Sequence, residues 1–165
     1  MRDTPLTAAC IGAKMKIVQI VLEKGCRVNQ VDGKMEKIFK AARGGGYEKI
    51  VKLLIEKGCD VNKADGFNMT PLTVACLGGN EKIVQLLIDK GCDVNHVDDI
   101  GMTPLTAAYF GGNKKIVQIL KVTGCDVNID DCMLDTQLTA ACRRGNEKIV
   151  KILIHKGYDV NKLMV

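Results

Sequence analysis

Apolar residues recur along this chain at helical spacing, and glycine and polar residues interrupt them at fixed intervals. The clearest stretch is residues 70–95, TPLTVACLGGNEKIVQLLIDKGCDVN. Leu72, Ala75 and Cys76 stand at helical spacing and are small enough for close packing. Ile83, Val84, Leu86, Leu87 and Ile88 form the apolar side of a second helix over 81–90. Thr70 is placed to cap the first helix by accepting from a free N–H of its first turn. Pro71 follows at the first helical position, where its missing N–H has no helical partner to lose. Gly78-Gly79-Asn80 turns the chain between the helices. Gly91 ends the second helix in the left-handed conformation that a residue without Cβ adopts at little cost. Residues 92–100 then run polar and turn-rich, with Asp93, Asn95, Asp98 and Asp99, as a β-turn finger would.

This unit recurs. Gly25, Gly58, Gly91, Gly124 and Gly157 lie 33 residues apart, and Asn29, Asn62, Asn95, Asn128 and Asn161 keep the same step. A fixed period of this length is the signature of a solenoid. Neither helix is long enough to stand alone, so each unit buries its apolar face on its neighbours. The expected fold is all-α: one domain over 1–165 made of five helix–turn–helix–finger units, 1–31, 32–64, 65–97, 98–130 and 131–161, with a tail at 162–165.

The succession Thr-Pro-Leu-x-x-Ala, a Gly-Asn helix turn, Ile-Val-x-x-Leu-Leu, Gly-x-Asp-Val-Asn and Asp-x-x-Gly-x-Thr resembles the ankyrin repeat over essentially the whole chain. One departure is systematic. The histidine that follows Thr-Pro-Leu in that family is Thr7, Thr73, Thr106 and Thr139 here, and Lys40 in the second unit. The threonine hydroxyl is expected to make part of the histidine's hydrogen-bond network across neighbouring fingers, more weakly. The resemblance implies an outer layer of second helices, a concave groove lined by finger tips and first helices, and a non-catalytic protein-binding role.

The units are not equivalent. The first has no finger before it, and Ile11, Met15 and Ile17 make it more apolar than a terminal cap should be. That predicts a missing short cap, an excerpt from a longer array, or an end that docks on something. The second is the most worn: Lys37-Ile38-Phe39 replaces Thr-Pro-Leu, and Met35 stands where the finger glycine belongs. The weakest seam is expected there, although its second helix keeps Glu48 and Lys52 at ion-pair spacing. The third and fourth units are closest to the pattern and should be the stable centre. In the fourth, Lys121 takes a column held elsewhere by Leu22, Ile55, Ile88 and Ile154, so its stem should pack while the ammonium reaches out. Tyr109 replaces a small core residue and must repack locally or push toward the groove. The fifth, with Arg143, Arg144, Glu147, Lys148, Lys151, His155 and Lys156 on its helices, is polar enough to cap the array.

Composition adds less. With 47% hydrophobic residues the chain can fill a core strip without tryptophan, and its net charge of +5 is modest. Eight cysteines suggest disulfides until their register is read. Cys26, Cys59, Cys92 and Cys125 share one column, and Cys10, Cys76 and Cys142 another, both calling for a small apolar residue. Reduced core cysteines in a cytoplasmic protein are therefore expected, with Cys132 alone on a finger. No targeting segment or membrane span is expected, because the longest apolar run near the start is short and broken by Gln19.

Candidate chemistry is sparse, and no catalytic residue, metal site or cofactor is expected. His96 and His155 occupy different places in the repeat and read as solvated residues rather than a converging pair. The run 126–130, DVNID, opens like a calcium loop but has Asp131 and Gln137 where that loop needs Gly and Glu. Gly44-Gly45-Gly46 lacks the Gly-Lys-Ser/Thr continuation of a phosphate loop, and Asn68-Met69-Thr70 matches a glycosylation acceptor by chance. Lys16, Lys49, Lys82, Lys115 and Lys148 form a ladder on the second helices, beside Glu48, Glu81 and Glu147. Aromatic or groove-reading elements do not accompany it, which argues against nucleic acid.

More telling are apolar residues where the pattern is free to vary. By register, Phe67, Met69, Ile100, Met102 and Met133 fall on fingers, and Leu77 and Phe110 on the exposed side of first helices, where Arg143 holds the last such place. Folding does not require large apolar groups there, and a contiguous patch of them marks an interaction surface. The expected partner is a protein, bound by a monomer through this groove. The alternatives are self-association through the under-capped ends and a polyanion on the lysine ladder.

Overall fold

The computed structural model describes residues 4–26, 28, 47–99, 101–125, 138, 141–142, 145, 147–155 and 160. Eight helices and no strand lie among them: α1 (Pro5–Ile11), α2 (Met15–Glu23), α3 (Glu48–Glu56), α4 (Pro71–Gly78), α5 (Glu81–Asp89), α6 (Pro104–Gly111), α7 (Lys114–Val122) and α8 (Glu147–His155). The first helix and finger of the second unit, the finger of the fifth with Cys132, and the tail lie outside the described residues.

Helices α1, α4 and α6 begin as the sequence requires. Thr4, Thr70 and Thr103 accept from the backbone N–H of Thr7, Thr73 and Thr106 at 3.1, 3.3 and 3.1 Å, with proline at the first helical position. The hydroxyls of Thr7, Thr73 and Thr106 meet those capping hydroxyls at 2.8, 3.1 and 3.0 Å. These hydroxyl pairs lie within the capping turn of each helix. Asn80 and Asn113 cap α5 and α7 by accepting from Ile83 and Ile116 at 3.1 and 3.2 Å.

The helices form two layers. Each first helix packs on its own second helix (α1 on α2, α4 on α5, α6 on α7), α4 packs on α6, and α2, α3, α5 and α7 follow one another as the outer layer. Between the layers runs a strip of fully buried Leu6, Ile50, Leu54, Leu72, Ile83, Leu87, Leu105, Ile116 and Leu120. Each such side chain contributes about 1.5–3 kcal/mol relative to exposure.

Backbone contacts, hydrogen bonds and ion pairs set the seams between units. At Gly111 a Cβ would lie 2.8 Å from the Cys76 carbonyl oxygen and 2.9 Å from that of Leu77, so α6 rests backbone against backbone on α4. Asn113 donates from Nδ2 to the Gly79 carbonyl and to Glu81 Oε1, both at 3.2 Å, while its Oδ1 caps α7. Tyr47, at the same place in its own unit, donates to the Ile11 carbonyl at 2.7 Å. Glu48 turns to Lys82 of the next unit at 3.1 Å rather than along its helix to Lys52, and Glu81 likewise reaches Lys115 at 3.5 Å.

The two oddities of the fourth unit are partners. Tyr109 repacks inward, only 2% exposed, and the Lys121 ammonium lies 5.7 Å from the centroid of its ring. Cys10, Cys59, Cys76, Cys92 and Cys125 are buried and in no disulfide, as their columns require. Cys142 departs from its column. It shares the register of Cys10 and Cys76 but is exposed.

Candidate partner-binding face

The finger between α3 and α4 is built by one carboxylate. Asp65 Oδ1 accepts from the backbone N–H of Phe67 and of Met69, both at 2.9 Å, and the Asp65 N–H closes the turn on the Met69 carbonyl at 3.0 Å. Asn68 holds φ +58°, a left-handed conformation that asparagine tolerates better than most side chains. Gly101, at the same place in the next finger, holds φ +79°. There Asp98 Oδ1 accepts from the Met102 N–H at 2.8 Å, and the Asp98 N–H reaches the Met102 carbonyl at 3.1 Å.

The two fingers are stitched together. The Asp99 N–H donates to the Phe67 carbonyl at 3.2 Å, and Asn68 Nδ2 donates to the Val97 carbonyl at 3.2 Å. His96 Nε2 lies 2.8 Å from the Asn68 carbonyl, which can only accept, so that nitrogen carries the proton. His96 is therefore half-buried and bonded between fingers, not the solvated residue expected from its polar neighbourhood. The Asp-Val-Asn motif has the same structural work. Asp60 and Asp93 each accept from the N–H two residues on at 2.9 Å, and Asn62 Oδ1 accepts from the Asp93 N–H at 2.7 Å across the seam.

On this scaffold Phe67 stands at a finger tip, 67% exposed. Met69, Leu77 and Phe110 are half-buried and lean on the core. Because Gly111 abuts the Leu77 carbonyl, Leu77 and Phe110 come level on adjacent helices. Met102 departs from the expected exposed patch: it is 8% exposed and belongs to the core, beneath the turn that Asp98 closes. Ile100, Met133 and Arg143 lie outside the described residues. Val97 is an exposed apolar residue that the sequence argument missed, hydrogen-bonded through its carbonyl to the tip residue Asn68. Its only signal was a valine in a polar stretch.

Lys16, Lys49, Lys82 and Lys115 of the lysine ladder are exposed but interleaved with carboxylates, through the pairs Lys82–Glu48 and Lys115–Glu81. Among the described residues no group of three or more His, Cys, Asp or Glu is placed to hold a metal ion. Burial pushes the Cys10 thiol up to about 12 and those of Cys59 and Cys92 to about 11, helped by neighbouring thiols at Cys10 and by Asp60 and Asp93 at the others. Burial also raises Cys76 well above the usual thiol range. These sulfurs stay protonated at neutral pH and are poor nucleophiles.

Helix pairs stacked in two layers and joined by hydrogen-bonded fingers define a helical-repeat solenoid. The chain belongs to the ankyrin repeat family: the family model described as ankyrin repeats in three copies matches residues 1–65, 16–98, 38–131 and 72–164. No curated protein matches the chain in sequence. Repeats of this family are generally modules of protein–protein interaction and typically non-catalytic. No helix of the described residues is long and apolar enough to cross a membrane.

Proposed function

We propose that this chain is a five-repeat, non-catalytic module that binds a protein partner on the face carrying Phe67, Met69, Leu77 and Phe110, as an adaptor, scaffold or inhibitor would. The observation that carries this reading is Phe67. A phenylalanine 67% exposed contributes little to the core, yet its finger is held by Asp65 on one side and by the next finger on the other. A rigid, exposed aromatic loses little conformational entropy on docking, and aromatic anchors dominate protein interfaces. Carboxylates within the lysine ladder favour a protein over a polyanion. Buried cysteines outside any disulfide accord with a reducing compartment such as the cytoplasm.

The test is parallel capture from cell extract with the intact chain, Phe67→Asp, and an Ile17→Asp/Ile20→Asp control. Proteins held by the intact chain and the control but lost by Phe67→Asp support the groove. Equal retention by all three removes it.

A further inference from the structure

The charges of the third and fourth units are sorted between the two layers. Their first helices, α4 and α6, carry no charged residue, whereas Lys82 and Lys115 stand exposed on the outer helices α5 and α7. In the finger after α5 the sign reverses. Residues 92–99 hold Asp93, Asp98 and Asp99 and neither lysine nor arginine. Asp93 and Asp98 each commit an oxygen to a backbone N–H of their own turn. Asp99 is exposed, and among the described residues no cation pairs with its carboxylate.

Asp99 and Phe67 are neighbours across the finger seam. The Asp99 N–H donates to the Phe67 carbonyl at 3.2 Å, so an exposed carboxylate and an exposed ring spring from bonded stretches of backbone. Exposed Val97 and half-buried Leu77 and Phe110 add only apolar groups. A carboxylate beside an aromatic ring suits a guanidinium, whose fork donates two N–H groups to the carboxylate while its flat face stacks on a ring. A lysine ammonium offers a point charge without that fork or plane. An acidic side chain would meet Asp99 with no cation on the inner helices to offset it.

We infer, resting on the protein-binding reading of this face, that its occupant is a segment that sets an arginine against Phe67 and Asp99 and lays apolar side chains along Leu77 and Phe110. Phe67 and the inner helices supply the apolar contact. Asp99 selects the charge of what docks there, and the ring beside it selects arginine over lysine.

Selection of a random-peptide phage library on the full chain tests this. Enriched peptides are expected to combine arginine with aromatic or aliphatic residues. For a synthetic copy of the most enriched peptide, Phe67→Ala should weaken binding about thirtyfold and Asp99→Asn about three- to tenfold. Citrulline in place of the peptide's arginine keeps the shape and removes the charge. It should weaken binding to the intact chain as much as Asp99→Asn does, and cost nothing further on the Asp99→Asn chain. Both positions are exposed, and circular dichroism checks that each variant keeps its helices. A selection that yields no peptide, or peptides without arginine, overturns the inference, as do citrulline and Asp99→Asn losses that simply add. Apolar peptides without arginine that still need Phe67 overturn it while leaving the groove standing. Peptides indifferent to Phe67 remove the groove reading as well.

Discussion

Ile17 and Ile83 are the same residue at the same place in two copies of one repeat, yet one is half exposed and the other fully buried. The two regions around them differ accordingly. The α4–α7 centre is tied at the seam between its two units by Asn113, by the Gly111 contact and by paired fingers, and to α3 by the Lys82–Glu48 pair. The α1–α2 end is held from one side, by Tyr47 and by packing against α3. In a solenoid a side chain's energetic weight comes from the neighbour that covers it, so identical residues carry unequal loads.

The sharpest way to break this comparison is to truncate both isoleucines. Ile83→Ala should cost about 2–5 kcal/mol in urea unfolding and Ile17→Ala well under half of that. Equal losses would mean that the α1–α2 end and the centre of the repeat stack are covered alike. Gly111→Ala comes next. Alanine normally gains about 1 kcal/mol over glycine within a helix, but here its Cβ meets two carbonyl oxygens, so a net loss of about 1–3 kcal/mol is expected. Gly12→Ala, whose Cβ would find nothing nearer than 3.4 Å, should be nearly neutral. Thermal unfolding of the pair reads the difference.

Asn113→Ala should cost about 1–2 kcal/mol, since it removes a cap and two bonds across a seam. Asn113→Asp keeps the cap but sets a carboxylate against Glu81, so recovery of full stability would show that the seam bonds count for nothing. The smallest effect is kinetic. Among the described cysteines, thiol labelling of the native chain should modify Cys142 first and Cys76 last, although both share a column. The buried thiols also fix a sign with pH. Cys10, Cys59 and Cys92 keep protons that the unfolded chain gives up near 9.0, so the folded state binds more protons and stability falls as pH rises from about 9 towards 11–12. Cys59→Ala should flatten part of that fall.

Much of this was legible beforehand, because it depends on local sequence. Thr-Pro caps, glycine stops and the apolar stripe of each second helix act within a turn or two of chain, and α1, α4 and α6 begin where they predict. The candidate face was half legible. Phe67 could be placed at a tip by register, but Met102, two residues from the matching tip, could not be seen to fold under its own turn. The tyrosine–lysine pair of the fourth unit looked like two separate defects, because residues 109 and 121 meet only when two helices pack.

By itself the sequence determined the repeat, its period, the helix boundaries and the small-residue columns, since capping, backbone conformation and the helical stripe are short-range effects repeated along the chain. The tertiary structure alone decided which copy of each column is covered, that His96 and Asn68 bind fingers together, that Glu48 answers Lys82 rather than Lys52, and that Cys142 faces outward. Those outcomes belong to residues about 30 positions apart in sequence, and they exist only once the units stack.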